Sequence, residues 1–69
     1  MPLSLAKTGE ANSIKKIGGH ENARKHLENM GFVTGTNVTV VSTMNGGLIV
    51  KVKDSRIAIS REMANKIII

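Results

Sequence analysis

Residues 20–38, HENARKHLENMGFVTGTNV, contain in one run the signals of a short helix, its end and the start of a strand. Ala23, Leu27 and Met30 recur at helical spacing, so a narrow stripe of this helix is predicted to be apolar. Beyond Met30 the helical period is lost, and from residue 37 apolar and polar residues alternate. The stretch therefore predicts one helix followed by a change of chain direction into a β-strand.

The change of direction is predicted at Gly31 and Gly35. Gly31 can take the positive φ that ends many helices, because it has no Cβ to clash. Phe32, the only aromatic residue, then follows the cap, and Leu27 lies in the last turn of the helix. These two positions touch in a Schellman arrangement. Gly35 is expected to take the positive φ of a type II turn, so Leu27, Gly31, Phe32 and Gly35 are predicted to have structural roles.

Three strands are predicted downstream, at residues 37–44, 48–53 and 56–60. Asn45-Gly46-Gly47 is a hairpin signal, since Asn-Gly accepts the positive φ of the primed turns, and Asp54-Ser55 is a second short turn. Alternation places Val38, Val40 and Met44 on one face of the first of these strands. In the other two it predicts that Leu48, Val50, Val52, Ile57 and Ile59 point inward. After them, Ser60 can cap a helical turn at residues 61–64, and residues 67–69 form a last short strand.

The region before the helix gives weaker signals. Residues 1–8 are expected to begin extended, with Leu3 and Leu5 on one side, and to end at a Thr8-Gly9 turn. Residues 11–17 are a strand candidate, but Ile14 and Ile17 are three apart, which requires either a bulge or an early end to the strand. The whole chain, 1–69, is thus predicted to be one mainly β domain. Closing its short antiparallel strands into a small barrel would remove exposed edges.

Composition narrows the function. Ten Lys and Arg against five Asp and Glu give a net charge of +5, which suits an anionic partner or simply a solvated surface. The near absence of aromatic residues counts against base stacking on single strands and against proline-rich peptide binding. There is no cysteine, and no apolar run approaches the roughly 20 residues of a membrane span. An intracellular protein that does not insert into a membrane is expected.

Catalytic chemistry finds no support in the sequence. The five acidic residues are scattered, no serine lies in a nucleophile motif, and Gly46-Gly47 precedes a strand and not the helix of a phosphate loop. Neither catalytic residues nor a cofactor are predicted. His26, Glu28 and Met30 are weak candidates for a metal site, with a bordering surface histidine and a core methionine as the simpler interpretation.

The most concentrated basic feature is Lys51, Lys53 and Arg56. Lys51 and Lys53 are expected to share a strand face, with Arg56 across the next turn. Charged residues also protect sheet edges, so a solvated face would explain them equally well. Ile49, which points outward on the same strand, favours a surface that contacts a partner.

Four segments in order resemble the FeoA family. They are Leu5-x-x-Thr8-Gly9-Glu10; Ile14-Lys15-Lys16-Ile17-Gly18-Gly19; Arg24-x-x-Leu27-x-x-Met30-Gly31-Phe32-x-x-Gly35-x-x-Val38; and Ile57-Ala58-Ile59-Ser60-Arg61-Glu62-x-Ala64. The sequence departs from the family pattern at Thr8 and Thr34, where proline before glycine is common. The resemblance covers nearly the whole chain.

The resemblance to FeoA implies an SH3-like barrel of about five short antiparallel strands, with one inserted α-helix and a short helical turn before the last strand. It also implies a cytoplasmic, non-enzymatic accessory role in ferrous iron transport, through contact with the GTP-binding domain of a FeoB-type permease. Two other functions stay open: a small basic barrel that binds nucleic acid, and iron sensing through His26, Glu28 and Met30. The oligomeric state and the sign of any effect on the transporter are left open.

Overall fold

The computed structural model describes all of residues 1–69. Six strands are present: β1 (Ala11–Ser13), β2 (Lys16–Ile17), β3 (Asn37–Met44), β4 (Gly47–Val52), β5 (Ser55–Ser60) and β6 (Ile67–Ile68). Helix α1 (Glu21–Asn29) lies between β2 and β3, helix α2 (Arg61–Lys66) precedes β6, and a 3-10 helix spans Leu3–Leu5. The strands form an antiparallel sheet of order β1-β3-β4-β5 and an antiparallel pair β2-β6. The predicted mainly β architecture with one inserted helix is confirmed.

The end of α1 has the predicted Schellman geometry. Gly31 has a φ of +103°, its amide donates to the Glu28 carbonyl at 2.9 Å, and the Phe32 amide donates to the Leu27 carbonyl at 3.0 Å. These are the two hydrogen bonds that define the motif. Leu27 and Phe32 are both fully buried in the same core cluster. One glycine therefore ends the helix and sets the position of the only aromatic side chain.

The turn at Gly35 is also as predicted. Gly35 has a φ of +91°, and the Thr36 amide donates to the Val33 carbonyl at 3.1 Å, closing a four-residue turn with the glycine at its third position. The Gly35 amide donates to the Ile14 carbonyl at 2.8 Å. Ile14 in turn donates its amide to the Thr36 carbonyl at 2.9 Å. The turn is thus fastened to the chain that enters the second sheet.

A bulge in β3 changes which residues share a face of this strand. Val40 pairs with Val50, but the next pair is Ser42 with Ile49, so Val41 is an extra residue. A bulge of this kind shifts the alternation by one residue. Met44, predicted to share a face with Val38 and Val40, lies on the opposite face and is 46% exposed. The prediction for Met44 is wrong because the sequence pattern alone does not reveal the bulge.

Residues 11–17 form two strands and not one bulged strand. Ser13 ends β1 opposite Asn37, whereas Lys16 in β2 pairs with Ile68 in the other sheet. Of the two explanations for the spacing of Ile14 and Ile17, the early end is correct. The chain leaves one sheet for the other between them, and both isoleucines are buried. The strand count is therefore six, where about five were predicted.

The first residues are helical where an extended segment was expected. The Leu5 amide donates to the Pro2 carbonyl at 3.1 Å and the Ala6 amide to the Leu3 carbonyl at 3.0 Å. In a 3-10 helix, with three residues per turn, residues two apart point to different sides. Leu3 is fully buried and Leu5 is 68% exposed. The expectation that the two leucines share one side is wrong for this reason.

Both predicted hairpins exist, with differences at their turns. Asn45 and Gly46 form the first turn, but only Gly46, the second of the two, has a positive φ, so the turn is not of the primed kind that was predicted. The second turn is Lys53-Asp54, one residue earlier than predicted, and Ser55 already pairs with Val52. Lys53 has a φ of 55° and is the one non-glycine residue with a positive value.

Helix α2 begins with a side-chain cap. The Ser60 side chain caps α2 by accepting the Met63 amide at 3.2 Å, as predicted, and this places Ala64 inward. Neither helix has the length and apolar character needed to cross a membrane.

The core of the protein is entirely apolar. Fourteen buried residues form one cluster: Leu3, Ile14, Ile17, Leu27, Phe32, Val38, Val40, Leu48, Val50, Val52, Ile59, Ala64, Ile67 and Ile69.

Candidate partner-binding surface

The β4–β5 hairpin brings two of the three predicted basic residues together. Lys51 and Arg56 are direct partners in the register of this hairpin, and both are exposed. Directly opposite residues on an antiparallel pair have side chains on the same face, with Cβ atoms about 5 Å apart. Thr39 of β3 pairs with Lys51 from the other side. The two positive charges are therefore adjacent on the outer face of the four-stranded sheet.

An apolar strip continues from this basic pair along the outer face. Ile49, predicted to be a contact residue, is half-buried, and it pairs with exposed Ala58 on β5 and with Ser42 on β3. The bulge turns exposed Met44 to the same face. Sequence reasoning missed Ala58 and Met44. The Arg56-Ile57-Ala58 alternation could have indicated the first, whereas the second depends on the bulge.

Lys53 lies elsewhere than predicted. It belongs to the turn at the tip of the β4–β5 hairpin and does not share a strand face with Lys51. A Cβ built on Gly31 would lie 3.9 Å from the Cδ atom of Lys53. The lysine side chain thus passes the end of α1, where the helix dipole favours a cation. Its φ of 55°, and not a regular strand conformation, gives it this position.

The charges of this surface are not neutralised within the chain. The structure contains one salt bridge, between Lys25 and Glu21 on α1, with a separation of 3.6 Å. Lys51, Lys53 and Arg56 therefore have no carboxylate within 4.0 Å. We name the surface formed by Met44, Ile49, Lys51, Arg56 and Ala58 the hairpin face.

The three metal candidates lie on α1 or directly after it, with His26 and Met30 four residues apart. His26 and Glu28 are exposed on α1, two residues apart and hence on different sides of the helix. Met30 is half-buried and packs against the core. The structure contains no group of three or more His, Cys, Asp or Glu residues placed to hold a metal ion.

Comparison with solved structures identifies the class of fold. A crystal structure of an iron uptake regulatory protein, FeoA, has a TM-score of 0.89 and 31% identity, over 97% of this chain and 91% of that one. FeoA of Stenotrophomonas maltophilia, crystallised with zinc and described as a procaryotic SH3 domain protein, has a TM-score of 0.87 and 24% identity. That match covers 99% of this chain and 87% of the other. The chain is a small SH3-like barrel protein, as predicted.

Comparison of sequences identifies the family. Residues 1–69 match the FeoA domain. A Methanocaldococcus jannaschii protein, provisionally named Fe(2+) transport protein A, is 40% identical over 68 residues, which cover 99% of this chain and 83% of that protein. The chain belongs to the FeoA family, and the resemblance seen in its sequence is confirmed.

Proposed function

We propose that this protein is a non-enzymatic, cytoplasmic accessory protein of ferrous iron uptake that contacts the GTP-binding domain of a FeoB-type transporter. Family membership supports the iron-transport part of the proposal, since the archaeal relative carries that function in its provisional name. FeoA of Stenotrophomonas maltophilia is likewise described as a candidate activating factor for ferrous iron transport. The proposed contact surface is the hairpin face, with Lys53 at its end.

The main support for a contact at the hairpin face is that Lys51 and Arg56 are adjacent, have no carboxylate nearby and lie beside the apolar pair Ile49 and Ala58. Protein–protein interfaces combine an apolar centre with a polar rim, and they are enriched in Arg and Met. The hairpin face has this composition, because Ile49 adjoins the two basic residues and Met44 lies beyond Ile49 on the same face. Two adjacent positive charges without a carboxylate repel each other, and an acidic partner surface would relieve that repulsion.

The test is a titration of the protein against an isolated GTP-binding domain at low and high salt. The double variant K51E/R56E is expected to bind at least about tenfold more weakly than wild type, because it places like charges against an acidic partner. The matched control is K15E/K16E, which removes the same amount of positive charge from exposed positions next to and within β2. This control should retain most of the affinity.

Two outcomes would contradict the proposal. One is an absence of binding at low salt when circular dichroism shows that both proteins are folded. The other is an equal loss of affinity in the two double variants, which would show that affinity depends on net charge and not on the hairpin face. A parallel titration with duplex DNA covers the nucleic-acid alternative, since tight binding with a steep salt dependence would favour that function instead.

A further inference from the structure

The four-stranded sheet ends at β5, and one side of this strand is open. The sheet order is β1-β3-β4-β5, so β5 pairs with β4 alone, and its six residues make a longer edge than the three of β1. Helix α2 packs against β5, and it begins immediately after Ser60. The remaining open part of the edge is therefore centred on Arg56, Ile57 and Ala58.

The hydrogen-bonding directions in this sheet follow from one contact in β3. In an antiparallel strand, the N–H and C=O of a residue point to the same side, and successive residues point to opposite sides. The Val40 carbonyl accepts the Gly9 amide at 2.8 Å and so points away from β4. Val40 and Val50 are thus a non-hydrogen-bonded pair, and the backbone of Val50 points to β5.

The same alternation identifies the free groups of β5. Val50 pairs with Ile57 and Val52 with Ser55, so these pairs carry the hydrogen bonds between β4 and β5. The N–H and C=O groups of Arg56 and Ala58 then point outward. No turn, loop or side-chain hydrogen bond in the structure involves either residue. Two donors and two acceptors are free on this edge.

The charge of the β5 edge determines which kind of added strand it can bind. Arg56 is exposed and has no carboxylate within 4.0 Å, and Lys51 lies directly opposite it. Basic residues on an edge strand oppose pairing with another basic edge. Two copies of this chain, each with a net charge of +5, would repel each other when paired edge to edge. A strand that carries acidic side chains would be attracted by the same charges.

We propose that the β5 edge binds an extended, acidic segment of a partner protein by strand addition. The backbone of Arg56 and Ala58 supplies up to four hydrogen bonds, and Arg56 together with Lys51 selects a carboxylate on the added strand. The small side chain of Ala58 leaves room for an apolar residue beside it. The proposed function supplies the identity of the partner, a GTP-binding domain, whereas the binding mode can be tested without it.

The first experiment removes one outward donor. Ala58→Pro deletes the free N–H but no bond to β4, and proline is tolerated on edge strands where the N–H faces solvent. Ala58→Val is the matched control, because it enlarges the side chain and keeps the N–H. Ala58→Pro is expected to weaken binding of the GTP-binding domain by about tenfold or more, and to weaken it more than Ala58→Val, which reports the separate effect of filling the space beside Ala58. Equal affinities of Ala58→Pro and wild type would overturn strand addition and leave the proposed function standing.

The second experiment needs no partner protein and no variant. A capped acidic peptide of sequence TEVEVT and its lysine counterpart TKVKVT are titrated into isotope-labelled wild-type protein. The acidic peptide is expected to shift the amide signals of Arg56 and Ala58 and to slow their hydrogen exchange, which should be fast in the free protein. Protected amides in the free protein, or equal effects of both peptides, would overturn the inference. If the domain itself fails to bind, this measurement still decides the binding mode.

Discussion

Replacing Gly31 with valine is expected to destabilise the protein by about 2–3 kcal/mol, mainly through the backbone. The φ of +103° lies outside the region that L-residues tolerate, and holding a residue there costs roughly 1–3 kcal/mol. A Cβ at this position would lie 3.8 Å from the nearest Val52 methyl and 3.9 Å from Lys53 Cδ, which are ordinary contacts. Valine adds branching to the strained backbone, so its cost should exceed that of alanine. If the backbone moved to relieve this strain, it would break the hydrogen bonds that the Gly31 and Phe32 amides donate to the Glu28 and Leu27 carbonyls.

The assay for Gly31→Val is a thermal melt followed by circular dichroism. In a domain of this size, each kcal/mol lowers Tm by about 4–8 °C, so a fall of roughly 10–20 °C is expected. Gly18→Ala is the control, because Gly18 has no positive φ and an added Cβ would lie 3.7 Å from the Lys66 carbonyl oxygen. Partner affinity should fall in parallel with the folded fraction. An unchanged melting temperature for Gly31→Val, within a few degrees, would refute the proposed importance of the cap.

Three further substitutions test other parts of the fold. Gly47→Ala should cost roughly 2–4 kcal/mol in urea unfolding, because an added Cβ would lie 2.5 Å from the Ile59 carbonyl oxygen; a midpoint like that of wild type would contradict this. Ser60→Ala should cost about 1 kcal/mol through loss of the cap on the Met63 amide, while Ser60→Asp keeps the stability, and equal losses in both would argue against capping. Lys53→Asn should raise stability by about 0.5–1 kcal/mol at high salt, where the interaction of the Lys53 cation with the end of α1 is screened, since asparagine tolerates the left-handed region better. A lower denaturation midpoint at high salt would count against it.

Local signals predicted those features in which one residue type fixes one backbone geometry. Gly31 and Gly35 were correctly placed because positive φ strongly favours glycine. Ser60 was correctly placed because a serine before a helical turn is a standard cap. In each case the physical cause lies within a few residues of the signal.

Features that depend on residues distant in the sequence could not be predicted from local sequence patterns. The bulge at Val41 exists only relative to β4, and it turned Met44 outward against the alternation. The turn at Lys53 places a lysine in a conformation that its side chain does not favour, with Gly31 beside it. For the candidate surface, the pairing of Lys51 with Arg56 follows only from the register of β4 and β5, which the sequence does not give.

The residues nearest the chain ends meet in the fold. Pro2 forms an isolated bridge with Ile68. The Ile69 amide donates a hydrogen bond to the Met1 carbonyl at 2.7 Å, and these two residues are 68 positions apart in the sequence. Contacts of such long sequence separation carry the full entropy of loop closure and slow the folding of small domains. Within the β3-β4-β5 meander, by contrast, the strands are joined by two-residue turns and their contacts with one another are local. We therefore expect the meander to form in the folding transition state, and the pairing of the two ends to follow after the rate-limiting step.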